Sequence, residues 1–381
     1  MDIVKRVLIT IRNYFKTADS LLLVLCAGAT AFGIVMIYSA TRTYANPDQY
    51  IRIQTIAALI GFVGYFLLSI VDVDIITDRW FLLLAFNLLF TSTTLVWGEG
   101  SATGGNGWLR FGDGSIGIQP TEIVKITYIL LLAKHMAYLR EGSGREINSA
   151  LSVGALTLHF AMIFGLVIIA ADDLGSAMVF AVIFIVMLFA AGLRLLWFAL
   201  GAAVLGAASP FIWQYALRDY HRNRIIAVFN PRAVDETGRG ITWQVTQSKI
   251  ALGSGQLTGQ GYLQGVQSQS SNIPIKHSDF IFAIIGEELG LLGCLAVIVL
   301  LLLIIARCVY VGVRSRDRMK MLYCVGVAGM LTFQMFENIG MCIGIMPVIG
   351  ITLPFFSYGG SSILSSIAAC GIVSSIRRSS A

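Results

Sequence analysis

The feature that most constrains this chain is the recurrence of nearly uncharged apolar stretches of about 20 residues along its whole length. They run near 20–40, 53–71, 80–97, 121–139, 149–170, 174–192, 195–213, 280–308, 321–345 and 354–376. About 20 helical residues cross the hydrocarbon layer of a bilayer, where a backbone has to satisfy its own hydrogen bonds. The spacing therefore predicts an all-α, polytopic integral membrane protein of about ten helices, one domain over residues 20–381. A content of 56% hydrophobic and 13% charged residues excludes the soluble globular classes. Residues 1–19 alternate apolar side chains with Lys5, Arg6, Arg12 and Lys16, as expected of a short amphipathic cytoplasmic helix on the membrane surface rather than a cleaved signal. A frayed basic tail is the alternative.

Charge sets the expected orientation. Arg314, Arg316, Arg318 and Lys320 share one short connection, and Arg377 and Arg378 close the chain, which predicts both termini on the cytoplasmic side. The long polar segment 214–278 then lies outside as a large loop between the seventh and eighth helices. It carries Arg218, Arg222, Arg224, Arg232, Arg239, Lys249 and Lys276. A loop of this length escapes the orientation rule, so its charge is free to meet an anionic headgroup, and guanidinium suits phosphate. Simple docking on phospholipid is the other reading. The net charge of +6 is thus assigned to membrane lipids and a phosphate-bearing ligand, with no nucleic acid. All six cysteines fall in apolar stretches without metal or disulfide spacing, and read as core.

Several polar positions interrupt this background. Asp279 is the last charge before a long apolar run, and an ionised carboxylate at that depth is kept where it faces water, a partner or a substrate. Glu122 and Lys125, three apart after Pro120, fall on one helical face and can pair near a cavity or merely in packing. Arg52, Asp172, Asp173 and the Gln334, Glu337, Asn338 face sit at outer helix ends, and His277 adjoins Asp279. WLRF, Gly-Asp-Gly and SIGI read as a hairpin in an outer loop. GSGQLTGQGYLQG, from 253, either turns N–H groups toward phosphate or is a compact loop, and it lacks the context of a nucleotide P-loop. Gly286 and Gly290 have the spacing of close helix packing.

Taken together, IQPTEIVKITYILLLAKHM, DLGSA from 173, YHRNRIIAVFNPRAVDETGRG from 220, QVTQSKIALGSGQLTGQGYLQGVQSQ from 244, HSDFIFAIIGEELGLLG from 277 and MPVIGITLPFFSYGGSS from 346 resemble the SEDS family (shape, elongation, division and sporulation). NPRAVD and GVQSQ resemble its rod-elongation, RodA-type branch more than the division, FtsW-type branch. The resemblance implies a peptidoglycan glycosyltransferase that polymerises lipid II into nascent glycan outside the cytoplasmic membrane, beside a class B penicillin-binding protein. It places the essential aspartate at Asp279, the cavity pair at Glu122 and Lys125, the DLG aspartate at Asp173 and a loop arginine at Arg224. His221, Ile275 and Lys276 depart from the usual pattern. Arg52, His277 and Lys249 join these as candidate substrate contacts. The resemblance makes Asp279 the expected general base. No cofactor is announced by the sequence, and a divalent cation, Mg or Mn, could help. The rival expectations are a lipid II flippase or transporter, a division-type polymerase, and a scaffold for cell-wall enzymes.

Overall fold

The computed structural model describes residues 18–100, 105–112, 116–142 and 146–379. The expected amphipathic segment lies almost wholly outside the described residues. In chain order the elements are α1 (Ser20–Thr41), α2 (Pro47–Ile70), α3 (Val73–Thr77), α4 (Trp80–Trp97), β1 (Leu109–Phe111), β2 (Ile116–Ile118), α5 (Pro120–Ala137), α6 (Ala150–Leu166), α7 (Leu174–Ala190), α8 (Leu195–Phe211), α9 (Asp219–Phe229), α10 (Pro231–Val234), α11 (Trp243–Ser254), α12 (Ile281–Arg314), α13 (Arg318–Ile343) and α14 (Gly360–Ser379). One wide π turn each continues α5, α6 and α8.

Eight of these helices, α1, α2, α4, α6, α8, α12, α13 and α14, are long and apolar enough to cross a membrane. The shorter α7 is also apolar. α5 carries Glu122, Lys125 and Lys134 and is buried along most of its length, so its polar groups face protein instead of lipid. With these two the long helices among the described residues number ten, close to the expected stretches. The last is the clearest departure, because residues 353–359 are not helical. Phe355 and Phe356 there are apolar because they are buried against α1, where a Cβ on Gly33 would lie 2.8 Å from the Phe356 Cα.

Small residues let the helices approach closely. A Cβ on Gly371 of α14 would come within 2.7 Å of the Tyr65 Cα on α2, and Gly329 of α13 faces Val186 of α7. Local start signals agree with the boundaries: Pro47 and Pro120 open α2 and α5, and Asp19, Ser149, Asp173 and Asp317 cap α1, α6, α7 and α13. α8 buries none of its residues.

The two ends of the bundle differ. At one end buried Asp19 receives Arg307 at 2.8 Å and Arg377 at 3.2 Å, Lys320 meets Asp74 at 2.8 Å, and Lys134 meets Asp78 at 2.9 Å. Arg140 and Arg318 bond the Ala191 carbonyl there. At the other end lie the 42–46 connection, the β1–β2 hairpin, α9 to α11 and the turn before α12. The hairpin is antiparallel with Leu109 opposite Ile118, as the pattern suggested; its turn residues 113–115 are outside the described set.

The glycine-rich segment after α11 is a compact docked loop. Gly290 breaks α12 at φ 65, ψ −163, and the loop supplies the missing bonds. Gln260 and Gly261 donate to the carbonyls of Glu287 and Glu288 at 2.9 and 3.0 Å, while Leu291 and Leu292 donate to those of Gln256 and Leu257 at 2.9 and 3.2 Å. Two of its N–H groups are therefore committed to α12, which argues against the phosphate reading. Gly286 and Gly290 do serve close approach, but to this loop and α11 rather than to a second membrane helix.

Candidate active site

A cavity of about 810 Å³ opens at the hairpin end, walled by α2, the hairpin, α5, α9, residues 275, 277–279, 349–352 and 358–361, and the starts of α7 and α14. It brings together Asp279, Glu122, Lys125, Asp173, Arg224 and His277 from four separate parts of the chain.

Asp279 sits on a turn held by its backbone. The N–H groups of Ser278 and Asp279 donate to the Ile275 carbonyl at 3.1 and 3.2 Å. The carbonyls of residues 277–279 are also fixed: His277 by the Tyr358 N–H at 2.9 Å, Ser278 by the Ser357 hydroxyl at 2.6 Å, and Asp279 by the Asn338 amide at 2.8 Å. The side chain is 6% exposed, and Ser278 Oγ donates to its Oδ1 at 2.8 Å. Burial raises its proton affinity; the Ser278 hydrogen bond and the nearby Arg224 charge oppose that rise.

Arg224 is placed by α9, stacks 4.9 Å over Tyr220, and donates to the Val348 carbonyl at 2.6 Å. His277 is packed among the rings of Tyr44, Tyr50 and Tyr358 and contacts the Tyr44 hydroxyl at 3.2 Å. Burial, helped by the Lys276 charge, lowers its pKa to about 4, so its ring is neutral near pH 7.

Deeper in the cavity, Lys125 and Glu122 pair at 2.7 Å, both buried, with the Ser365 hydroxyl on the second Glu122 oxygen at 3.3 Å. Asp173 caps α7 through Ser176 and also accepts from Gln119 at 2.8 Å. Its neighbour Asp172 adopts a left-handed backbone and pairs with Arg218 at 2.6 Å.

Two expected contacts fall elsewhere. Arg52 is exposed, because the cavity-facing stripe of α2 runs through Gln49, Ile53, Ile56 and Ile60 and leaves it rotated away. Lys249 lies on α11 beside Gly344 and lines a separate recess of about 70 Å³, which Arg224 also borders. Conversely, Tyr50, Trp108, Arg110 and Tyr358 line the cavity without having been singled out. None of the four carries a local mark of this in the sequence; only the fold assembles them. Among the described residues no three His, Cys, Asp or Glu side chains converge as ligands for Mg or Mn.

Fold and cavity define a polytopic helical membrane protein with a polar site at one end of its bundle. The chain belongs to the FtsW/RodA/SpoVE family, described as "Cell cycle protein", whose model matches residues 19–381. It is 33% identical over 377 residues to a probable peptidoglycan glycosyltransferase FtsW of Trichlorobacter lovleyi, covering 96% of this chain and 95% of that one. To the peptidoglycan glycosyltransferase MrdB of Escherichia coli K12 it is 36% identical over 276 residues, 72% of this chain and 71% of that one. Among solved structures it is similar to the rod shape determining protein RodA of Thermus thermophilus, with a TM-score of 0.66, 26% identity, and coverage of 95% and 97%. A second similar chain comes from a study of polymerization and crosslinking by a peptidoglycan synthase complex, with a TM-score of 0.77, 28% identity, and coverage of 95% and 98%.

Proposed function

We propose that this protein is a peptidoglycan glycosyltransferase that polymerises lipid II, with Asp279 as the general base. The observation that carries the reading is a nearly buried carboxylate on a rigid turn, facing a cavity that also holds Arg224, Lys125 and Arg110. The names of its relatives point to the same reaction.

Asp279 accepts the proton of the acceptor sugar's 4-hydroxyl as that oxygen bonds to the donor's anomeric carbon. The bond from that carbon to the lipid pyrophosphate breaks, and the undecaprenyl pyrophosphate leaves with the electron pair. A base on the face opposite the leaving group inverts the centre, by the logic of paired-face glycosyl chemistry. The raised proton affinity of Asp279 moves it toward the range useful to a base near neutrality. Arg224 is the cation best placed to stabilise the departing diphosphate, because it is already fixed against Tyr220 and Val348. Neutral His277 contributes shape instead of charge. Each step is carried by these side chains, with none assigned to Mg or Mn.

The basic end of the bundle faces the cytoplasm and the cavity faces outward, in keeping with the positive-inside rule. Both termini are then cytoplasmic and the protein resides in a bacterial cytoplasmic membrane. A class B penicillin-binding protein is its transpeptidase partner, a reading supported by the similar chain from a peptidoglycan synthase complex. The assignment to elongation rests on the MrdB and RodA similarities; the FtsW relatives, matched over more of the chain, make division the second reading, and rescue of a rod-elongation or a division mutant separates them.

The test is polymerisation of lipid II by the purified full-length protein, alone and with its partner. Asp279→Asn should lower the rate by about 10²–10⁴-fold while membrane insertion is retained. Wild-type activity in the variant would refute the base assignment, and translocation of lipid II without polymer would favour a flippase.

A further inference from the structure

The turn that presents Asp279 is strained, and a side chain outside the cavity anchors it. Ile275, a β-branched residue, occupies the left-handed region at φ 56. Such a conformation persists only where its surroundings over-determine it. The following residue, Lys276, is fully buried and does not line the cavity. Its ammonium donates to the carbonyls of Ser268 and Ser270 at 2.5 and 2.6 Å and to Thr43 Oγ1 at 3.3 Å, and it lies 5.5 Å over the Tyr44 ring.

The charged and titratable groups facing it come from three elements. Glu287 and Glu288 of α12 attract it, Tyr44 approaches from the connection after α1, and His277 adjoins it in the chain. The glutamates are fixed in turn: Glu287 accepts the N–H groups of Gln267 and Ser268 at 2.7 Å, and Glu288 accepts the hydroxyls of Ser39 and Ser268 at 2.5 Å. One ammonium thus ties together the chain after α1, the glycine-rich loop and α12, immediately beside the strained residue.

We propose that Lys276 is a positioning residue for the Asp279 base, its buried ammonium locking the Ile275 turn so that the carboxylate is held at the cavity wall. The inference rests on the role proposed for Asp279 above. Burial lowers the ammonium pKa to about 8, against the attraction of Glu287 and Glu288, so the lock loosens as pH rises through that value.

The experiment is lipid II polymerisation by the full-length protein with its partner, from about pH 6 to 9.5, a range that brackets the ammonium's titration. Wild type, Lys276→Met, Lys276→Arg and Asp279→Asn are compared. Lys276→Met should lower kcat on the order of 10–100-fold, the scale of a base displaced by about 1 Å, with KM nearly unchanged. Lys276→Arg should restore most of kcat and move the alkaline fall upward from about pH 8, since guanidinium stays charged. Wild-type kcat in Lys276→Met, or a loss confined to KM, overturns the proposal. If the Met variant fails to insert, the Arg variant decides: an alkaline limb coincident with wild type overturns it. Polymerisation at the wild-type rate by Asp279→Asn refutes the base assignment itself, whereas a strongly impaired Asp279→Asn beside a fully active Lys276→Met refutes only the lock.

Discussion

Replacing Gly290 with Ala tests whether the docked loop holds the first turns of α12 in place. Gly290 sits at φ 65, ψ −163, a region essentially restricted to glycine, so an alanine there carries about 1–3 kcal/mol of backbone strain. Its Cβ would also lie 2.6 Å from the Leu257 carbonyl oxygen. That neighbour is backbone and cannot yield without disturbing the four hydrogen bonds that dock residues 256–261 on α12. Overpacking of this kind adds about 1–3 kcal/mol, giving a total destabilisation of about 2–6 kcal/mol. The assay is thermal unfolding of the full-length protein in detergent, paired with limited proteolysis across residues 255–272. Gly154→Ala is the control: Gly154 lies within α6 with open space around it, and alanine there should be neutral or stabilising by up to about 1 kcal/mol. A Gly290→Ala protein that melts with the control and resists protease equally would refute the account of the helix break.

Two further outcomes follow from buried charge. Either Glu122→Gln or Lys125→Met alone should cost about 3–5 kcal/mol by stranding its partner, while the double variant recovers much of that loss; three equal melting temperatures would contradict a coupled pair. His277 is held neutral in the fold down to about pH 4, below its ordinary 6.5, so the unfolded chain binds the extra proton between those values. Folding stability should therefore fall as pH drops from about 6.5 to about 4, by up to about 3 kcal/mol, and His277→Gln should flatten that part of the pH–stability curve.

The helix count was legible because lipid imposes one length on every crossing, and ten apolar stretches left little choice. The 353–359 segment shows the limit of that signal: a buried loop is as apolar as a span, and only Pro354 and the paired glycines 359 and 360 mark it as something else. In the cavity, Asp279, Glu122, Lys125, Asp173 and Arg224 stood out because charge is rare in such a chain, and all five line the cavity. Arg52 and Lys249 carried the same signal and point away, since composition says nothing about which face of a helix turns inward. Tyr50 and Tyr358 were hidden for the opposite reason, as uncharged residues brought together across about 300 positions of chain.

Asp19 accepts from the first turn of α1, from Arg307 and from Arg377, while its own N–H donates to Ser374. Its ligands thus include α1 and α14, some 355 residues apart. During synthesis that knot cannot be tied until α14 has left the ribosome, so the helices before it enter the lipid with a carboxylate still awaiting its cations. Completion of the bundle is in this sense a late event, and a chain cut short before α14 would carry its unpaired acid as a mark of being unfinished.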